Sequence, residues 1–132
     1  MNPQQLFRQS LDRCKKRADF LDLFYDHFMA SSEQVREKFA NTNFAAQKGH
    51  LIKSLTLAAD VVDGDAAAMR HLHERAESHS RHEINVQPAL YDLWLEALLS
   101  TVEECDEEFS DQIEAAWRSV LGHIIGYMQA HY

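Results

Sequence analysis

Four histidines fall within twelve residues of the chain: His71, His73, His79 and His82. A neutral imidazole can ligate a transition metal or hydrogen-bond a buried carbonyl, so the chemistry of each ring depends on where it points. Met69, Leu72, Ala76 and His79 fall at i, i+3, i+7 and i+10, which places them on one face of a helix and ends an apolar row in an imidazole. The ordinary alternative for such a residue is a core histidine with a satisfied hydrogen bond. His73-x-x-x-Glu77 and His79-x-x-His82 would each put a donor pair on a single helix face, as in a non-haem metal bundle. A di-iron bundle, however, needs matched carboxylate and histidine pairs from several helices, and no Glu-x-x-His occurs in the other helices.

The elements that must position these rings read as helices throughout. Only two prolines and four glycines interrupt 132 residues, and no run alternates cleanly enough for a strand. The His79 helix should stop three to seven residues after His79, because Asn85-Val86-Gln87-Pro88 reads as an extended connection. Pro88 suits the first turn of the next helix, which runs to about Val102 and carries Leu90, Tyr91, Trp94, Leu95, Leu98, Leu99 and Val102. That face is broad enough to line a pocket.

Upstream, Leu6, Phe7, Leu11 and Cys14 mark a first amphipathic helix. Asp19 is the expected N-cap of a second, largely buried one from Phe20 to Phe28. Ser31 stands three residues before Gln34, the spacing of a capping box, and opens a short helix ending near Phe39. Asn41-Thr42-Asn43 restarts the pattern for a long helix from Phe44 to Val62, with Gly64-Asp65 as its stop. Glu103 to Glu108 reads as a solvated acidic connector. Ser110 or Asp111 then caps a last helix carrying Ile113, Ala116, Trp117, Val120, Leu121, Ile124, Ile125 and Met128. The expectation is an all-α chain of about seven helices, a single domain over residues 1–132.

Composition narrows the function classes. A net charge of -8 leaves no basic footprint for nucleic acid. The longest nearly uninterrupted apolar runs, around Leu55 to Val62, are too short to span a bilayer, so a soluble protein is expected. Cys14 and Cys105 are far apart, with no CxxC neighbour and no signal peptide, which points to reduced thiols in a cytoplasmic protein.

Taken in order, FLDLFYDHF, REKFANTNF, Gln47-x-x-His50-Leu51, the His79 helix, NVQPALYDLWLEALL and AAWRSVLGHIIGYM resemble a globin, of the bacterial single-domain kind. The spacing belongs to the resemblance: Tyr25 precedes Phe39 by fourteen residues and Gln47 precedes His79 by 32. The resemblance implies haem b held without covalent attachment, consistent with the lack of a CxxCH motif. It implies His79 as the iron ligand, with His82 as the alternative. The usual interval from that ligand to the valine-x-proline segment lies between those measured from His79 and from His82, and here the sequence departs from the family. Leu72 and Ala76 complete an apolar row for His79, whereas Ser78 stands four before His82, which favours His79.

For the distal side the resemblance implies Tyr25 and Gln47 as hydrogen-bond donors to a diatomic ligand. Leu51 would restrict the cavity, and His50 would turn inward to iron or outward to a propionate. Phe39 would pack on the porphyrin, and Leu72, Ala76, Val86, Tyr91, Leu98, Val120 and Ile124 would line the pocket. Trp94 and Trp117 are assigned to the core. Lys48, Arg75 and Arg81 are candidate propionate partners, as is His82 if it is not the ligand. The expected ligands are O2, NO and CO; the alternatives are a globin-like helical interaction module without haem and the non-haem iron bundle. A Tyr25/Gln47 pair suits nitric-oxide dioxygenation, peroxide chemistry or sensing better than bulk oxygen delivery. With no reductase or signalling domain expected after the last helix, turnover would need a separate electron donor; whether the chain is monomeric or dimeric stays open.

Overall fold

The computed structural model describes residues 1–80 and 86–132. Among them are seven helices and no strand: α1 (Pro3–Lys15), α2 (Phe20–Ser31), α3 (Glu33–Lys38), α4 (Phe44–Val62), α5 (Ala66–His79), α6 (Leu90–Cys105) and α7 (Asp111–Ala130). Side-chain oxygens start most of them by accepting the otherwise unpaired first N–H groups. Asn2 forms a reciprocal capping box with Gln5, Asn43 accepts from the Ala46 N–H, Asp65 from Ala68 and Ser110 from Ile113. Gly64, at φ +85°, supplies the left-handed residue that lets α4 turn into α5.

Four local expectations need correction. Ser32, not Ser31, caps α3 through the Gln34 N–H, while the Ser31 hydroxyl donates back to the Phe28 carbonyl and stays in α2. Asp19 makes no capping bond, because its carboxylate is taken by Arg17. α5 ends at His79 itself rather than beyond it, and α6 starts at Leu90 after a turn at Pro88 and runs on to Cys105. Asp106, expected in a solvated connector, is 2% exposed. It is buried because α1 supplies its partners: Ser10 donates to Oδ2 at 2.6 Å, and Arg13 donates to both oxygens.

α2 packs on α6, α1 on α7 and α4, and α5 on α4 and α7. The main core holds Phe7, Leu11, Phe24, Leu55, Leu98, Val102, Trp117 and Leu121, all nearly inaccessible. Phe7 meets Trp117 with ring centres 4.6 Å apart, and the Trp117 indole N–H donates to Ser10 at 2.9 Å. α1, α6 and α7 are thus joined by one apolar contact and one polar network. A smaller cluster of Val61, Ala68, Leu72, Ala76 and Met128 ties α5 to α4 and α7. Cys14 and Cys105 are buried free thiols, and burial pushes the Cys14 thiol up to about 12. No described helix is long and apolar enough to cross a membrane.

Candidate functional site

A cavity of about 380 Å³ lies between α2, the α3 corner, α4, α5, α6 and α7. Its walls are mainly apolar, which is the surface a large flat hydrophobic ligand needs.

His79, the last residue of α5, lines this cavity. Its Nδ1 lies 2.8 Å from the Arg75 carbonyl oxygen and 3.1 Å from Ser78 Oγ, whose own hydroxyl donates to the same carbonyl at 3.0 Å. A carbonyl only accepts, so Nδ1 carries the proton and Nε2 keeps its lone pair. Among the described residues Nε2 has no hydrogen-bond partner. Burial lowers the ring's pKa, the bond to the Arg75 carbonyl acts in the opposite sense, and the nearby charges of Arg75 and His50 lower it further. A neutral imidazole with a fixed tautomer, held by its own helix, is the form in which histidine ligates a metal.

Tyr25 reaches the cavity from α2 and Gln47, His50 and Leu51 from α4. The Tyr25 ring sits among aromatics, 4.9 Å from Phe24, 5.3 Å from Phe44 and 5.9 Å from Phe39, and is 6% exposed. Its hydroxyl has no partner among the described residues, and burial raises its pKa, so it remains a phenol and a donor. Phe39, Leu72, Arg75, Val86, Tyr91 and Ile124 also line the cavity.

Four expected pocket residues lie elsewhere. Lys48 is paired with Asp22 on the outside of α4. Leu98 and Val120 are fully enclosed between helices in the main core, and Ala76 packs in the smaller cluster. Leu98, Val120 and Ala76 each stand on a buried helix face, but that face meets a neighbouring helix instead of the cavity. His82 and Arg81 fall outside the described residues.

The structure adds lining residues that the sequence reading did not assign to the haem pocket. Trp94, assigned to the core, is half-buried and lines the cavity, edge-on to Phe24 at 6.2 Å. Ser54 on α4 and His71 on α5 both line it and are joined by a 2.9 Å hydrogen bond between Oγ and Nε2. Their separation of 17 residues crosses an interhelical turn, so no local pattern announces the pair. Among the described residues no group of three or more histidine, cysteine, aspartate or glutamate side chains is placed to hold a metal ion, which leaves the non-haem bundle without a site there.

The sequence pattern described as Globin matches residues 22–128, and α2 to α7, which wall the cavity, fall almost wholly within that match. The chain belongs to the globin family. The globin also superimposes on a crystallised protein from Pseudomonas aeruginosa PAO1, described as structurally highly homologous to a human hemoglobin. That likeness has a TM-score of 0.93 and 38% sequence identity, and covers 99% of this globin and 98% of the other chain. No curated protein sequence matches it.

Proposed function

We propose that this globin holds haem b non-covalently in the cavity, with His79 as the iron ligand, and reversibly binds a diatomic gas: O2, NO or CO. The observation that carries this reading is the state of the His79 ring. Nδ1 is committed to the Arg75 carbonyl, and Nε2 is left unengaged on a residue lining a mainly apolar cavity. That pattern fits the group, since a haem ligand needs a neutral imidazole whose other nitrogen is held by a second partner. Phe39, Leu72, Val86, Tyr91 and Ile124 would give the porphyrin apolar contacts. When bound, haem supplies an iron with a position open to a gas.

Discrimination among gases then rests on this chain's side chains. The Tyr25 phenol and the Gln47 amide are donors with no competing side-chain partner among the described residues. In a site of low polarity such donors favour a ligand atom carrying partial negative charge and slow its escape. Leu51 limits the space beside them, and His50 stands exposed at the mouth of the cavity. Tight retention of oxygen suits nitric-oxide dioxygenation or sensing, with electrons drawn from a separate reductase.

Purified with haem, the protein should show a Soret band. His79→Ala should abolish stable haem retention, and His82→Ala should largely preserve it. The reverse result would move the ligand role to His82, and no uptake by the unaltered protein would end the proposal. Stopped-flow measurement of nitric-oxide consumption by the oxygenated protein separates dioxygenase from carrier.

A further inference from the structure

Two contacts set the register between the end of α1 and the end of α6. Ser10 donates to Asp106 Oδ2 at 2.6 Å, and Arg17 Nη1 donates to the Glu104 carbonyl at 3.4 Å. On the α1 side Cys14 stands between these contacts, one turn after Ser10 and one turn before Arg17, whose N–H closes on the Cys14 carbonyl at 3.0 Å. On the α6 side Cys105 stands between Glu104 and Asp106. The two segments pass each other in opposite senses, so the bracket brings Cys14 to face Cys105. Both side chains turn inward, at 0% and 4% exposure. The electrostatics agree: burial acts first in pushing the Cys14 thiol up to about 12, and the charge of an ionised Cys105 adds to it, as only a near neighbour's can.

These are the only cysteines of the chain, and neither lines the cavity. Among the described residues neither belongs to a group of three or more side chains placed to hold a metal ion. The reaction left to a facing pair of thiols is oxidation to a disulfide.

We propose that Cys14 and Cys105 form a redox modification site, at which a peroxide converts the facing thiols into a disulfide that staples α1 to the end of α6. The proposal does not depend on haem. Cys105 reacts first, being the less buried of the two and the last residue of α6. Its thiolate sulfur attacks one peroxide oxygen, the O–O bond breaks and the departing hydroxide is protonated to water, which leaves a sulfenic acid. The Cys14 sulfur then attacks the Cys105 sulfur, the S–O bond breaks, and the hydroxide leaves as water with the Cys14 proton. In sum two thiols and one hydrogen peroxide give one disulfide and two waters: the sulfur pair loses two electrons and the peroxide gains them. Burial raises the pKa of both thiols, so thiolate is scarce at neutral pH and the pair answers sustained oxidant instead of a brief pulse. Closing a loop of about 90 residues then removes much of the freedom of the unfolded chain.

The full-length protein is treated under native conditions with a small excess of hydrogen peroxide, quenched with iodoacetamide and weighed intact. It should lose about 2 Da, with neither cysteine alkylated, and a protease digest should contain one peptide pair joined through Cys14 and Cys105 that dithiothreitol separates. Raising the pH from 7 to 8 should speed the loss about tenfold, following the thiolate fraction. The oxidised protein should unfold about 10 °C higher than the reduced one and return on reduction. Cys14→Ser should stop the staple and leave Cys105 as a sulfenic acid that dimedone traps. Cys14→Ala, which places no hydroxyl in the core, gives the same readout where the serine variant does not fold. Two thiols still open to alkylation after unfolding, oxidation only to higher acids or to disulfide-linked dimers, or a disulfide that forms only in urea would each overturn the proposal. So would a lower unfolding temperature after oxidation, since the bond would then have formed against the native register.

Discussion

Taking one oxygen atom away from Tyr25 should separate ligand retention from stability. The hydroxyl bonds to nothing among the described residues, and the ring contacts with Phe24, Phe39 and Phe44 are edge-on packing that phenylalanine reproduces. Tyr25→Phe therefore breaks no hydrogen bond within the chain. Deleting a hydroxyl without a partner is near neutral, so the haem-free variant should unfold in urea within about 1 kcal/mol of the unaltered protein. With haem and gas present the same change removes a donor. A hydrogen bond worth about 1.4 kcal/mol corresponds to about a tenfold faster oxygen dissociation rate. Stopped-flow displacement of oxygen by carbon monoxide reads that rate, and far-UV circular dichroism in urea reads the stability. An unchanged off-rate in a normally folded variant would remove Tyr25 from the ligand chemistry. Destabilisation by more than about 2 kcal/mol would show that the hydroxyl serves the fold instead.

Asp106→Ala should lower stability by about 3 kcal/mol, since it strands Ser10 and Arg13; the 23% exposure of Arg13 lets water recover part of the loss. Thermal unfolding should fall by roughly 10 °C. Burial alone would raise the Asp106 pKa, but hydrogen bonds from Arg13, Ser10 and the Glu108 N–H outweigh it and hold the carboxyl below the usual range. Its contribution is therefore present above the unfolded value near about 4 and is lost as pH falls through the folded one. Asp106→Asn should flatten the acid limb of a stability–pH curve, and an unchanged limb would contradict the assignment. Gly64→Ala should cost about 1 kcal/mol in chemical denaturation and leave haem retention intact. A Cβ there meets open space, so the penalty lies only in the positive φ.

Much of the scaffold was legible from periodicity and capping residues. α4 begins and ends where Asn43 and Gly64 imply, and α7 begins at the Ser110 cap. The end of α5 was less legible, because the residues after His79 hold no breaker before the Asn85-Val86-Gln87-Pro88 connection, and the helix nevertheless stops at Ser80. Asp106 was misread for a different reason: its neighbours are acidic, and its partners lie more than ninety residues away on α1. Within the cavity, periodicity identified faces that are buried but not what each face meets. Leu98 and Val120 therefore looked equivalent to Tyr91 and Ile124, although only the latter two reach the open space. The Ser54–His71 pair was not legible because the partnership exists only once α4 and α5 have packed together.

The Ser10–Arg13–Asp106–Trp117 network has a practical consequence for anyone shortening the chain. A fragment cut to the borders of the family match, residues 22–128, would keep every cavity-lining residue from Phe24 to Met128. It would also discard α1, leaving Asp106 a carboxylate without its guanidinium and Trp117 an indole with neither its hydroxyl acceptor nor the Phe7 ring. Such a piece would keep the cavity lining and lose the packing that supports it, so α1, which lies outside the family match, is a segment that trimming should spare.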